Sequence, residues 1–242
     1  MGSAGGAGGM RNDVLIRALA FASAVPGAAV LLFVFLDLLP GASPPGTALD
    51  ARLLALLGSA DHWQRLSVTL PLVLVALAVA VLGGLGLRRL PAAAGIATAL
   101  ALLPPFWLGM LLSLLVAGLL RLLPPSGFLP WSDPLAALST LLLPALALGL
   151  PHAGHVALAL RERGRVALPA IVGRTLPALL VATVLVETVF YLPGLGRLVL
   201  GAAQQQDLAT LRAGLFVLVI VGATGLLLST VIRLPPVREP QQ

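Results

Sequence analysis

Between Leu66 and Leu87 the chain runs 22 residues without one charged side chain. A helix of that length spans the hydrocarbon thickness of a bilayer, for which about 20 apolar residues suffice. Six such stretches recur: Ala18 to Leu39, Leu66 to Leu87, one within Ala92 to Leu120, one within Pro134 to Leu160, Leu168 to Phe190, and Ala213 to Ile232. The third is longer than one span requires and is broken by Pro104 and Pro105, so its first part is open to a reading as a surface segment. Barrel strands need period-two alternation in segments of about ten residues, and these runs are continuously apolar. The expected fold class is therefore all-α and integral to a membrane.

Composition agrees, with 59% hydrophobic and 10% charged residues. There is no cysteine, which excludes disulfide and thiolate chemistry. The 15 cationic side chains are all arginine, and they fall in ones and twos between apolar runs. That scatter fits membrane orientation and excludes a nucleic-acid footprint, which would cluster them. With the N-terminus in the cytosol, nine arginines lie at cytosolic ends: Arg11, Arg17, Arg88, Arg89, Arg161, Arg163, Arg165, Arg233 and Arg238. Five lie outside (Arg52, Arg65, Arg121, Arg197 and Arg212) and Arg174 falls within the fifth span, so the rule of internal positive charge gives N-in, C-in.

Residues 1–13 are expected to form a flexible cytosolic N-terminus, with Met10 an alternative start. Residues 14–233 form the membrane domain and 234–242 a cytosolic tail. The apolar run after Arg17 is too long for a removable signal peptide. The segment Asp50 to Leu66 reads either as a short interfacial helix, with Trp63 at an aromatic belt, or as an ordered loop.

Three places carry unexpected polarity. Glu187 ends the fifth apolar run and is followed by Pro193, Gly194 and Gly196. An acid inside a spanning helix costs about 2.5–3.5 kcal/mol on insertion scales, so Glu187 either faces protein or reaches water at the boundary. His152 and His155, three apart, share a helical face. They can pack, line a path, or contact a metal, although two ligands do not close a site. Arg174 can snorkel to the cytosolic surface or line an aqueous path, and Pro177 would kink the helix beside it. No nucleophile elbow, phosphate-cradling loop or zinc-protease helix occurs, so no enzyme activity and no cofactor is expected.

The stretch "LVETVFYLPGLGRLVLGAAQQQD" resembles the fifth span and outer loop of bacterial binding-protein-dependent ABC permeases for dipeptides, oligopeptides and nickel. "LLFVFLDLLPG", "QRLSVTLPLVLVALAVAVLGGLGL", "ALLPPFWLGMLLSLLVAG" and "LLLPALALGLP" resemble, in order, segments of that family's first four spans. The resemblance implies a six-helix type-1 permease fold in the bacterial inner membrane. It implies alternating access, powered by separate ATP-binding subunits and working with a second permease subunit and a periplasmic or lipid-anchored solute receptor. Glu187, Pro193, Gly194 and Gly196 would then form an outer gate or turn, with Glu187 pairing an arginine or backbone donors. Arg161, Glu162, Arg163, Gly164 and Arg165 would face the ATPase, and His152, His155 and Arg174 are candidates for the pathway.

One departure stands out. The family carries a long cytosolic loop with a coupling helix after the fourth span, whereas "ERGRVALP" alone separates Arg161 from Ala170. Eight residues reach at most about 28 Å and cannot build a helix and its return. A family member that assembles without coupling to ATP is one alternative. A metal-binding membrane carrier or enzyme using His152 and His155 is another.

Overall fold

The computed structural model describes residues 60–90, 93–163 and 168–231. Among these residues every regular element is helical: α1 (Ala60–Leu87), α2 (Ala93–Leu102), α3 (Pro105–Leu112) continuing into a π-helical stretch Ser113–Leu119, α4 (Pro134–Arg163), α5 (Leu168–Val189), α6 (Leu195–Gln204) and α7 (Leu208–Val231). Within α1, α4, α5 and α7 lie four segments long and apolar enough to cross a membrane, and the bent pair α2–α3 makes a fifth if counted as one span. The class is thus all-helical among the described residues, with helices long and apolar enough for several membrane crossings. The expected first span, Ala18 to Leu39, lies outside the described residues, as do both terminal segments.

The break between α2 and α3 follows from Pro104 and Pro105. Pro105 lacks an N–H and disfavours helical backbone in the residue before it, and Pro104 accordingly sits extended at ψ 131°. Pro105 then occupies the first turn of α3, where its missing donor costs nothing, and the two helices meet at 99°. Two sequence-derived boundaries move. The last helix begins at Leu208, five residues before the expected Ala213, because Asp207 caps it. Residues 60–66, expected in an interfacial helix or loop, form the opening turns of α1 instead.

Helix α4 is the hub, packing most extensively on α1 and also on α2, α3 and α5. Leu72, Val73 and Ala76 of α1 meet Leu141, Leu143 and Leu148 of α4, with Leu179 and Val186 of α5 and Phe190 just beyond it closing the same core. Helices in lipid gain little from apolar burial alone and rely on close approach of small residues. Gly149 supplies that approach: a Cβ there would stand 2.6 Å from Val79 Cβ and 2.7 Å from the Ala76 carbonyl oxygen. A smaller cluster of Ala80, Val156, Leu160 and Ile171 packs the opposite end of the bundle.

Candidate functional site

Helix α5 ends in a paired-hydrogen-bond C-cap. The Leu192 amide donates to the Glu187 carbonyl at 2.8 Å and the Tyr191 amide to the Thr188 carbonyl at 3.3 Å, with Tyr191 in the left-handed region at φ 54°. Pro193 follows, where the helix has already stopped. Gly194 is then the N-cap of α6, extended at φ −92° and ψ 177°, and no side chain of α6's own cap satisfies the helix amides. Those donors are met from elsewhere in the fold.

Glu187 meets them. Its carboxyl is wholly buried, so the reading of a solvated boundary acid does not hold. Oε2 accepts the Arg197 amide at 2.9 Å, and Oε1 accepts the Thr69 hydroxyl of α1 at 2.7 Å. Thr69 Oγ1 in turn accepts the Leu195 amide at 2.8 Å. The two side chains thus satisfy first-turn amides of α6, at the end where the helix dipole favours negative charge. Of the two partners expected for Glu187, the backbone is the one found, and Arg197 contributes its amide here.

The glycines are set by this contact. A Cβ on Gly194 would overlap the Glu187 carboxyl, and one on Gly196 would stand 2.7 Å from the Val184 Cα. Gly194 and Gly196 are therefore needed because α6 presses its first turn onto α5. Thr69 is the functional residue that sequence reasoning passed over. Its only local signal is a β-branched hydroxyl in an uncharged run, which reads equally well as a helix-backbone donor.

Beside this junction lies a cavity of about 690 Å³ with Arg65, Tyr191, Arg197, Gln204, Gln205 and Asp207 in its wall. Arg65 Nε donates to Asp61 at 2.9 Å, one helical turn away. The Arg197 guanidinium stands 5.1 Å from the Tyr191 ring centroid, a cation–π contact. Asp207 accepts the Thr210 amide at 3.1 Å, and the hydrogen bonds from Thr210 hold its carboxyl below the usual carboxylate range.

The other polar side chains gather at the far end of α4 and α5. A cavity of about 310 Å³ brings His152, His155, Glu162, Arg174 and Thr175 into one lining. His152 is buried and its Nδ1 lies 2.7 Å from the Leu148 carbonyl. A carbonyl only accepts, so Nδ1 carries the proton and a neutral ring leaves Nε2 as an acceptor. The two imidazoles stand edge to face, with centroids 6.1 Å apart. Among the described residues, no group of three or more His, Cys, Asp or Glu converges as a metal site would require.

Of the expected ATPase-facing residues, Arg161 reaches back to donate to the Leu90 carbonyl at 2.8 Å, and Glu162 opens onto the cavity. The Arg163 side chain, Gly164 and Arg165 lie outside what the structure describes. Helix α4 runs through Arg163 and α5 starts at Leu168, so 164–167 alone join them.

The elements and sites together define a multi-helix protein compatible with repeated passage through a membrane, organised around a buried acid at one end and a polar cavity at the other. No family model matches the chain, and no curated protein sequence does.

Proposed function

We propose that this chain is a permease subunit of a binding-protein-dependent ABC importer for peptides or nickel-type solutes, with six spans, N-in and C-in, in a bacterial inner membrane. It works beside a second permease, ATP-binding subunits and a solute receptor. The observation that carries the reading is the use the fold makes of "ETVFYLPGLG". Glu187, Gly194 and Gly196 in it join α5 to α6 and, through Thr69, to α1 at one end of the helices. A motif of that kind supplies a rigid corner, and alternating access needs rigid units that rock against a partner. The reading is tested by co-expressing the chain with the permease, ATPase and receptor genes beside its own. Solute-stimulated ATP hydrolysis in proteoliposomes that is lost when this subunit is omitted supports it. Failure to co-purify with any such partner sinks it.

A second reading within the same family is favoured by the connection 164–167. Four residues leave no room for a coupling helix, so this subunit assembles while the partner permease carries most of the coupling to ATP.

A further inference from the structure

We infer that the cavity between α4 and α5 is a headgroup site for an aminophospholipid, a lipid whose phosphate is followed by a protonated primary amine. The inference needs α4 and α5 to lie in a bilayer and does not depend on the transport reading. Both helices contain segments long and apolar enough to cross one.

The cavity holds two polar donors in reach of a phosphate. Arg174 and His155 are both exposed and both line it. Thr175 is not a third, because its hydroxyl donates to the Ile171 carbonyl at 2.8 Å. A guanidinium is the side chain best shaped for phosphate oxygens. Basic pockets between spanning helices near a membrane surface are where lipid phosphates bind.

Glu162 decides which headgroup fits. Packed consecutive helices joined by four residues run antiparallel, and helical side chains lean toward their own N-terminus. Glu162 therefore leans into the cavity from its mouth while Arg174 leans outward toward it. A phosphatidylglycerol can donate only neutral glycerol hydroxyls to the Glu162 carboxylate, and it keeps its net negative charge beside it. A primary ammonium can donate to that carboxylate while the phosphate rests on Arg174 and His155. A quaternary choline has no N–H to give.

The hydrocarbon side is also provided. Arg174, Ala178, Val181 and Leu185 recur at helical spacing and are all exposed, so an apolar strip leads from the cavity toward the middle of α5. Val181 is 74% exposed and Leu185 47%. An acyl chain lies along that strip when the headgroup is seated. A water-soluble anion would leave it bare.

The test is native mass spectrometry of the detergent-purified protein offered equal amounts of phosphatidylethanolamine, phosphatidylcholine and phosphatidylglycerol with identical acyl chains. The wild type should retain phosphatidylethanolamine in preference to both others. Arg174→Gln should weaken retention of every lipid about tenfold, the effect of losing one charge-assisted contact. Glu162→Gln should keep lipid bound and erase the preference for ethanolamine over choline. Both side chains are exposed, and a thermal melt checks that each variant folds. Equal retention of the three lipids by wild type and Glu162→Gln would overturn the proposal. So would soluble phosphoethanolamine that blocks the site as well as the lipid does, since it would show that the acyl chain adds nothing.

Discussion

The Thr69 hydroxyl donates to Glu187 at 2.7 Å across 118 residues of sequence, and the same oxygen accepts the Leu195 amide at 2.8 Å. One small side chain of α1 thereby fixes both the acid of α5 and the first turn of α6. Thr69→Val keeps the shape and removes both roles, leaving a buried carboxyl oxygen and a buried amide short of a partner. Each orphaned group costs about 1–3 kcal/mol, so the variant should lose roughly 2–6 kcal/mol of stability. Thermal unfolding in detergent measures it. A melt within a degree of wild type would show that water replaces the hydroxyl freely.

Glu187→Gln should be milder than Glu187→Ala. The glutamine oxygen can accept the Arg197 amide while its NH2 donates to Thr69 Oγ1, which has a second lone pair. Alanine strands both donors and opens a void among Thr69, Val184 and Gly194. The expected order of stability is wild type, then Gln, then Ala, with the last step about 2–3 kcal/mol. Equal losses for the two variants would mean that charge, rather than hydrogen bonding, holds the junction.

The two glycines should behave differently in combination. Gly194→Ala collides with the Glu187 carboxyl, whereas Gly196→Ala collides with the Val184 backbone. Shortening Glu187 to alanine should therefore relieve the first clash and leave the second. The double variant Glu187→Ala with Gly194→Ala should be much less destabilised than the sum of its parts. The pair with Gly196→Ala should gain less, because that Cβ meets Glu187 Oε2 at 3.0 Å but still faces the Val184 backbone. Unfolding of the three single and two double variants reads this coupling directly.

Asp207 gives a pH-dependent contribution outside the spans. Its carboxyl sits below the usual range because Thr210 donates hydrogen bonds to it at the start of α7. A depressed folded-state value means the stabilisation is present above the unfolded value, near 4. It is lost as pH falls through the folded one. Asp207→Asn should retain most of the cap and flatten this acid limb, while Asp207→Ala should lose about 1 kcal/mol at neutral pH. Unfolding midpoints from pH 7 down to pH 3 compare the three proteins.

The apolar runs made the helices legible, since a 22-residue uncharged stretch in lipid has few alternatives to an α-helix. Pro104 and Pro105 likewise announced the break that now separates α2 from α3. The surroundings of Glu187 were another matter. Sequence placed it near the helix end and flagged the glycines, yet whether it was solvated depended on Thr69, a residue with no local distinction. His152, His155 and Arg174 were each visible as polar anomalies. Their meeting in one cavity with Glu162 depends on the antiparallel register of α4 and α5, which the short connection permits but does not specify.

On the transport reading, the connection between α4 and α5 yields the most exposed expectation. ATPase subunits of the resembled family are gripped by a helix that the permease inserts into a cleft, and the grip transmits closure. Here α4 ends at Arg163 and α5 begins at Leu168. One of the cations available for docking, Arg161, is already donating to the Leu90 carbonyl. Such a tip offers charge and little buried area, so its hold on an ATPase should be weak and fall steeply with salt. Co-purification of this chain with each ATPase subunit, without the second permease, should give a complex at low ionic strength that is gone at about 0.5 M salt, where screening lengths shrink to a few ångströms. Arg161→Gln should weaken it and also loosen the contact to Leu90. A salt-resistant complex cross-linked through residues 161–169 would show that a four-residue connection is grip enough, and the partner permease would lose its assigned share of the coupling.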